Sequence, residues 1–187
     1  NAIRFRSFPD CRELQENYTL MPEERAAEIE EADNFVTLTN GSLKVRLENN
    51  GKLTFFSDGK KILEEKPELT FESNYRHFDN KGSGLWTARI TFEPQKNEHF
   101  FGLGHSWDNE FDLKGCSIDI RNVNAKCTIP YVFSSLGYGF LWNNPAIGEA
   151  TFGKNMTVWK AEVTDTLDYL VTTGETPASI VETYMEI

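Results

Sequence analysis

Asp108, Glu110, Asp112 and Asp119 crowd one short stretch of the chain. Two carboxyls held roughly 5–10 Å apart can work as an acid and base pair. His105 precedes Ser106, Trp107 and Asp108 and is the histidine best surrounded for chemistry; His77 and His99 stand elsewhere. Each observation has a plainer reading. The chain carries 29 acidic residues, most of which must form solvated surface, and a lone histidine beside an aromatic more often makes a structural hydrogen bond than a catalytic one. Phe101-Gly102-Leu103-Gly104 contains a Gly-x-Gly but lacks the third glycine and the following helix of a phosphate loop. Its glycines are expected to let the backbone turn tightly between strands. No Gly-x-Ser-x-Gly elbow and no His-Glu-x-x-His occurs. Cys11, Cys116 and Cys127 are too few and too far apart for a zinc site and odd in number for a disulfide framework, so they read as reduced, buried thiols. No cofactor, metal or catalytic residue is assigned.

Composition narrows the partners. A net charge of -10 and a pI near 4.8 exclude an electrostatic partnership with nucleic acid or an anionic membrane, both of which need clustered Lys and Arg. No apolar run approaches the roughly 20 residues that span a bilayer, and no signal peptide is visible. The sequons at Asn17, Asn40 and Asn155 are therefore read as coincidence and the address as cytoplasmic. With 187 residues and 39% apolar content, one compact domain is expected.

Positioning falls to strands. From Phe35 the apolar period is two: Leu43, Val45 and Leu47 alternate with charged residues, and Asn49-Asn50-Gly51 turns the chain into Leu53 and Phe55. Asp58-Gly59 repeats the device. A loop over Asp79 to Gly84 precedes Trp86, Ala88, Ile90 and Phe92, which share one face, and alternation resumes through Met156 and Val158, Ala161 and Val163, and Leu167, Tyr169 and Val171. Asn143-Asn144-Pro145 is a turn. Such spacing predicts a mostly β, antiparallel β-sandwich over residues 34–175.

The ends differ. Residues 1–33 form the least regular segment, with Pro22 to Glu31 either a short exposed helix or a solvated acidic linker. At the other end Thr176-Pro177 starts a helix over 176–187 with Ile180, Val181 and Tyr184 on one face. Both ends look cut, and the chain reads as a fragment of a longer protein.

Phe101-Gly102-Leu103-Gly104, Asp112-Leu113-Lys114-Gly115, Ile129-Pro130-Tyr131, Gly137-Tyr138-Gly139-Phe140-Leu141-Trp142-Asn143-Asn144-Pro145 and the helix from Thr176 to Tyr184, in that order, resemble the N-terminal domain of glycoside hydrolase family 31, over about Phe35 to the end. The family includes α-glucosidases and α-xylosidases. The resemblance implies a sandwich similar to galactose mutarotase, standing before a (β/α)₈ barrel that carries both catalytic carboxylates of a retaining mechanism. This chain would then be an inert accessory domain, partnered by that barrel in the same polypeptide and by a carbohydrate substrate.

The resemblance further implies that one loop of this domain reaches over the barrel's pocket to hydrogen-bond sugar hydroxyls. Family members commonly carry Arg-Asp there; here the matching residues are Arg121-Asn122, with Asn124 two positions on. An amide for a carboxylate keeps an acceptor, adds donors and removes the charge. His105 likewise stands where the family often has Glu. As residues alone, Asn122 and Asn124 are equally at home in a turn. The alternative, a free-standing carbohydrate-binding or mutarotase-like module, differs in surface: a domain cut from its barrel exposes an apolar patch of several hundred Å².

Overall fold

The computed structural model describes residues 1–9, 20, 27–69, 74–105 and 110–187. In chain order these form β1 (Ala2–Ser7), β2 (Glu28–Ala32), β3 (Phe35–Asn40), β4 (Leu43–Glu48) and β5 (Leu53–Ser57). Next come β6 (Lys60–Glu64), β7 (Arg76–Gly82), β8 (Leu85–Phe92), β9 (Phe100–Gly102) and β10 (Ser117–Ile120). The remainder is β11 (Tyr131–Ser134), β12 (Tyr138–Trp142), β13 (Gly148–Phe152), β14 (Thr157–Thr164), β15 (Leu167–Thr173) and α1 (Pro177–Met185).

The strands build three antiparallel five-stranded sheets, ordered β1-β15-β12-β11-β9, β10-β13-β14-β8-β7 and β2-β3-β4-β5-β6. The first two pack face to face, as expected for a sandwich. Between them lie the fully buried Trp142 and Trp159, with Phe140 stacked on Trp159 at 4.8 Å and Phe100 against Phe152 at 4.7 Å between ring centroids. Leu43, Leu53 and Phe55 of the third sheet join the same core, where Phe55 meets the Tyr169 ring edge-on at 6.1 Å. The outer face of the second sheet is polar, Ser117, Asp119, Glu149 and Glu162 alternating with buried partners as a solvated face requires.

Local turn chemistry explains the hairpins. Asp58 and Gly59 take φ of 48° and 77°, the left-handed pair of a two-residue hairpin. Ser83 and Gly84 do the same at 56° and 73°, so the expected loop 79–84 is in fact the end of β7 and a two-residue turn. Ala161 faces the core, but the register shifts between Ala161 and Thr164, and Val163 is 50% exposed. A β-bulge therefore breaks the simple alternation expected there.

Two described parts of the N-terminal segment form strands. β1 pairs with β15, and Arg4 binds the buried Asp168 through Nε at 2.9 Å and through Nη2. Glu28–Ala32, expected as helix or linker, is an edge strand on β3 with every residue exposed. Residues 22–26 of that stretch lie outside the described residues. Cys127 is exposed and Cys116 half-buried, contrary to the expectation of buried thiols, because both stand in loops outside the alternation of the strands; Cys11 lies outside the described residues. Among the described residues no helix is long and apolar enough to cross a membrane.

α1 covers the outer face of the first sheet. Thr176 Oγ1 accepts from the Ser179 N–H at 3.1 Å and Ser179 Oγ accepts from the Thr176 N–H at 2.9 Å, a reciprocal cap behind Pro177. Ile180 is buried while Val181 lies at the rim, 38% exposed. Tyr184 stacks on Tyr131 at 4.2 Å, beside Leu141 and Leu170.

One buried ion pair ties all three sheets. Glu65, just past β6 and 1% exposed, accepts from the Leu53 N–H at 2.8 Å, from Arg76 Nε at 2.9 Å and from the Tyr169 hydroxyl at 3.4 Å. Burial pushes its carboxyl up against the opposing pull of Arg76.

Candidate functional site: a braced loop at the sandwich edge

The loop from Arg121 to Thr128 is held by pairing that begins in β9 and runs past its end. The Leu103 N–H donates to Tyr131 O at 2.9 Å, and His105 and Cys127 exchange N–H···O bonds of 2.8 and 3.2 Å. Reaching that register forces the backbone into the left-handed region at Gly102 (φ 129°), Leu103 (61°) and Gly104 (77°) in succession. Glycine bears this without penalty, whereas Leu103 is strained and is held there by a side chain 3% exposed in the core. At Gly104 a Cβ would stand 2.2 Å from Cys127 O, so the close approach admits glycine alone.

The loop is stapled internally. Val123 and Lys126 exchange backbone hydrogen bonds across a two-residue turn, Asn124 and Ala125, with Ala125 at φ 63°. Lys126 Nζ donates to Asp119 O at 2.8 Å, Arg121 pairs with the Asp119 carboxylate at 3.1 Å, and Thr128 Oγ1 donates to Arg121 O at 2.9 Å. Asn122 Oδ1 accepts from the Thr128 N–H at 2.6 Å. The amide oxygen of Asn122 is thus spent on the loop and its Nδ2 donors remain exposed to solvent. Asn124 sits exposed at the turn tip.

The other candidate residues are placed apart from this loop. Asp112 Oδ2 lies 2.5 Å from His99 Nδ1, and its Oδ1 accepts from the Lys114 and Phe100 N–H groups. Partial burial raises its pKa, but His99 and the two N–H groups outweigh that and hold the carboxyl below the ordinary range. Asp112 therefore anchors the start of β9, while Asp119 is engaged with Arg121; the two carboxyls do not meet. Among the described residues no cluster of three His, Cys, Asp or Glu side chains could hold a metal. Ser106, Trp107 and Asp108 lie outside the described residues. Asn144 is buried and spent on Thr164, Thr166 and the Ala146 N–H, a turn residue as its composition indicates.

A depressed carboxyl stabilises the fold at pH above its unfolded value, and that contribution is lost as pH falls through the folded value. Asp112 is accordingly expected to titrate below the ordinary ~3.9 by carboxyl NMR, and the shift is expected to shrink in His99→Ala. A midpoint at or above that value would remove the anchoring role.

Sequence reasoning passed over Gly104, Asp119 and Thr128 as supports of the loop. The Gly-x-Gly was a usable signal for the first; no local pattern marks the other two, because their partners are set by loop geometry.

The profile of the family described as "Glycosyl hydrolase 31 N-terminal galactose mutarotase-like domain" matches residues 1–149. The chain belongs to this family. The match of the family 31 domain starts at residue 1, in keeping with β1 and β2 being part of the sheets. It is 35% identical over 184 residues to an uncharacterized family 31 glucosidase, ORF2, of Pseudescherichia vulneris, with 88% of the chain and 35% of that protein aligned. α-Xylosidase A of Aspergillus niger is 29% identical over 151 residues, which cover 74% of the chain and 20% of the xylosidase. A crystal structure of a family 31 α-xylosidase from a soil metagenome, complexed with xylose, superposes on the whole domain with a TM-score of 0.91 and 31% identity, covering 30% of that chain. The family 31 domain thus spans about a third or less of these relatives.

Proposed function

We propose that this domain is the non-catalytic N-terminal part of a retaining α-glycosidase acting on α-xylosides or α-glucosides, and that its Arg121–Thr128 loop forms one wall of the sugar pocket. The observation that carries the reading is full-length superposition on less than a third of an α-xylosidase; on this reading catalysis is assigned to a barrel elsewhere in the same polypeptide, which would be the domain's partner. Surface character supports it. Phe111 is 82% exposed, and its ring lies 5.0 Å from Phe101, which stacks on Phe133 at 5.1 Å. This aromatic group sits on the outer face of the first sheet, where apolar surface is expected to be covered by a partner. The exposed Cys127 thiol suits a reducing, cytoplasmic address, and Asn40 spends its side-chain amide on Ala2 O at 2.9 Å.

In this role Asn122 offers Nδ2 donors to sugar hydroxyls while its oxygen keeps the loop in place, and Asn124 presents a second amide at the tip. Catalysis belongs to the barrel, so the 187-residue chain is expected to leave nitrophenyl α-xyloside and α-glucoside intact. Hydrolysis by the chain alone would overturn the accessory role.

In the full-length enzyme Asn122→Ala is expected to lower kcat/KM by about 1–3 kcal/mol, the range for losing a buried hydrogen bond to a hydroxyl. Asn122→Asp separates bracing from binding. The carboxylate still accepts from the Thr128 N–H, so the loop stays folded, but the donors are gone and the xyloside-to-glucoside ratio should shift. Wild-type kinetics on both substrates for both variants would return Asn122 to a purely structural role.

A further inference from the structure

A shallow, open cleft with a mixed polar and apolar lining lies at the far end of the third sheet. It offers about 350 Å³, open to solvent, between Asn34, Phe35, Arg46, Glu48, Asn49 and Asn50, near the lower bound for small-molecule sites. The Arg46 guanidinium is flanked by two aromatic rings, 4.7 Å from the Phe35 centroid and 5.3 Å from that of Phe56. Among the described residues its buried Nε has no hydrogen-bond partner, and Arg46 forms no ion pair. Glu48, its neighbour on the same face of β4, likewise makes no side-chain hydrogen bond or ion pair among the described residues. Burying donors and acceptors without partners is costly, and here a guanidinium and a carboxylate line one cleft with bonding capacity unspent.

The walls are already set. The Asn49 N–H donates to Asn34 O at 3.1 Å and its Nδ2 to Asp33 O at 3.1 Å. Asn50 Oδ1 accepts from the Lys52 N–H at 3.0 Å while its Nδ2 donates to the Tyr75 hydroxyl at 3.2 Å. Little ordering is left for a ligand to impose. The third sheet joins the first at the β1 and β15 edge, through Asn40 to Ala2 and Ser42 to Thr173, whereas the Arg121–Thr128 loop hangs on β9 at the opposite edge. The cleft is therefore a separate place on the molecule.

We propose that this cleft is a surface subsite for a neutral oligosaccharide. Each sugar hydroxyl donates and accepts at once, which suits Arg46 donors facing Glu48 acceptors with the Asn34 amide beside them. The Phe35 ring gives an apolar surface for pyranose C–H groups. One positive and one negative lining charge cancel, and the chain's net charge of -10 opposes anions. Such a subsite would hold a polymeric substrate at a point remote from the pocket loop.

The test is amide NMR of the 187-residue chain titrated with maltotriose and, separately, isoprimeverose, with glucuronate and inorganic phosphate as charged probes. Saturable shifts are expected at Asn34, Phe35, Glu48 and Asn49 with Kd on the order of millimolar. Binding at these amides should weaken at least about fivefold in Glu48→Ala and Asn34→Ala, changes outside the buried core. Arg46→Lys, which keeps the charge but loses the planar fork, should weaken it similarly. The subsite is ruled out if neither sugar shifts these amides, if only glucuronate or phosphate does, if the shifts gather on Arg121–Thr128 instead, or if the variants bind as the parent does.

Discussion

Glu65→Ala is expected to lower the unfolding free energy by about 3–5 kcal/mol, the range for breaking a buried ion pair by removing one partner. The size follows from what is left behind. Arg76, whose guanidinium lies 4.4 Å over the Phe5 ring, would keep its charge with no counter-ion in a largely buried site. The Leu53 N–H and Tyr169 hydroxyl would lose their acceptor as well, so one deletion loosens all three sheets at their common contact. Denaturant melts of the parent and variant measure the loss; a cost below about 1 kcal/mol would mean the pair contributes no more than an exposed one. Arg76→Ala gives the complementary result with a pH signature. Burial already pushes the Glu65 carboxyl up, and without the guanidinium it rises further. A raised carboxyl binds a proton in the folded state, so the variant should be most stable in acid. It should lose stability as pH rises from about 4.3 through the folded value, then level off. A flat pH dependence relative to the parent would contradict the buried, unpaired carboxylate.

Gly104→Ala is expected to cost roughly 2–4 kcal/mol and to dislodge the Arg121–Thr128 loop. The added Cβ would meet Cys127 O at 2.2 Å and the Ile129 N at 2.8 Å, both backbone atoms, at a residue already in the left-handed region. Neither can yield as a flexible side chain would, so the His105–Cys127 pairing must open. In the isolated domain the Thr128 amide should lose its hydrogen-exchange protection while the β12 and β15 amides keep theirs. In the full-length enzyme kcat/KM should fall at least as far as in Asn122→Ala, because the whole loop moves rather than one side chain. Retained Thr128 protection would show that β9 does not set the loop's position.

Where the physics is local, the sequence was sufficient. Asn49-Asn50-Gly51 and Asp58-Gly59 specify hairpins because Gly51, Asp58 and Gly59 take a positive φ that few other residues bear, and Thr176-Pro177 specifies a helix start because cap and first helical residue are adjacent. The apolar alternation in β8 and β15 identified the face turned to the main core, since the side-chain period of two is written in the strand itself. The ordered motifs from Phe101 to Tyr184 pointed to the family to which the chain belongs.

What escaped was set by distant partners. β1 is held by β15 through Arg4 and Asp168, separated by 164 positions, and nothing in Ala2–Ser7 announces that. Glu28–Ala32 has good helix formers and no buried face; edge pairing with β3 overrides a weak propensity. The division of labour within Asn122, oxygen to Thr128 and nitrogen to solvent, is invisible until the loop is closed by β9. The same holds for Arg46, which in sequence is one polar residue of an alternating strand and in the fold is clasped by Phe35 and Phe56 from the strands on either side. Sequence by itself determined the elements and the family, because turn conformation and strand period are properties of neighbouring residues. Only the tertiary structure decided which donors and acceptors remain unspent, because that depends on partners the chain brings together from far apart.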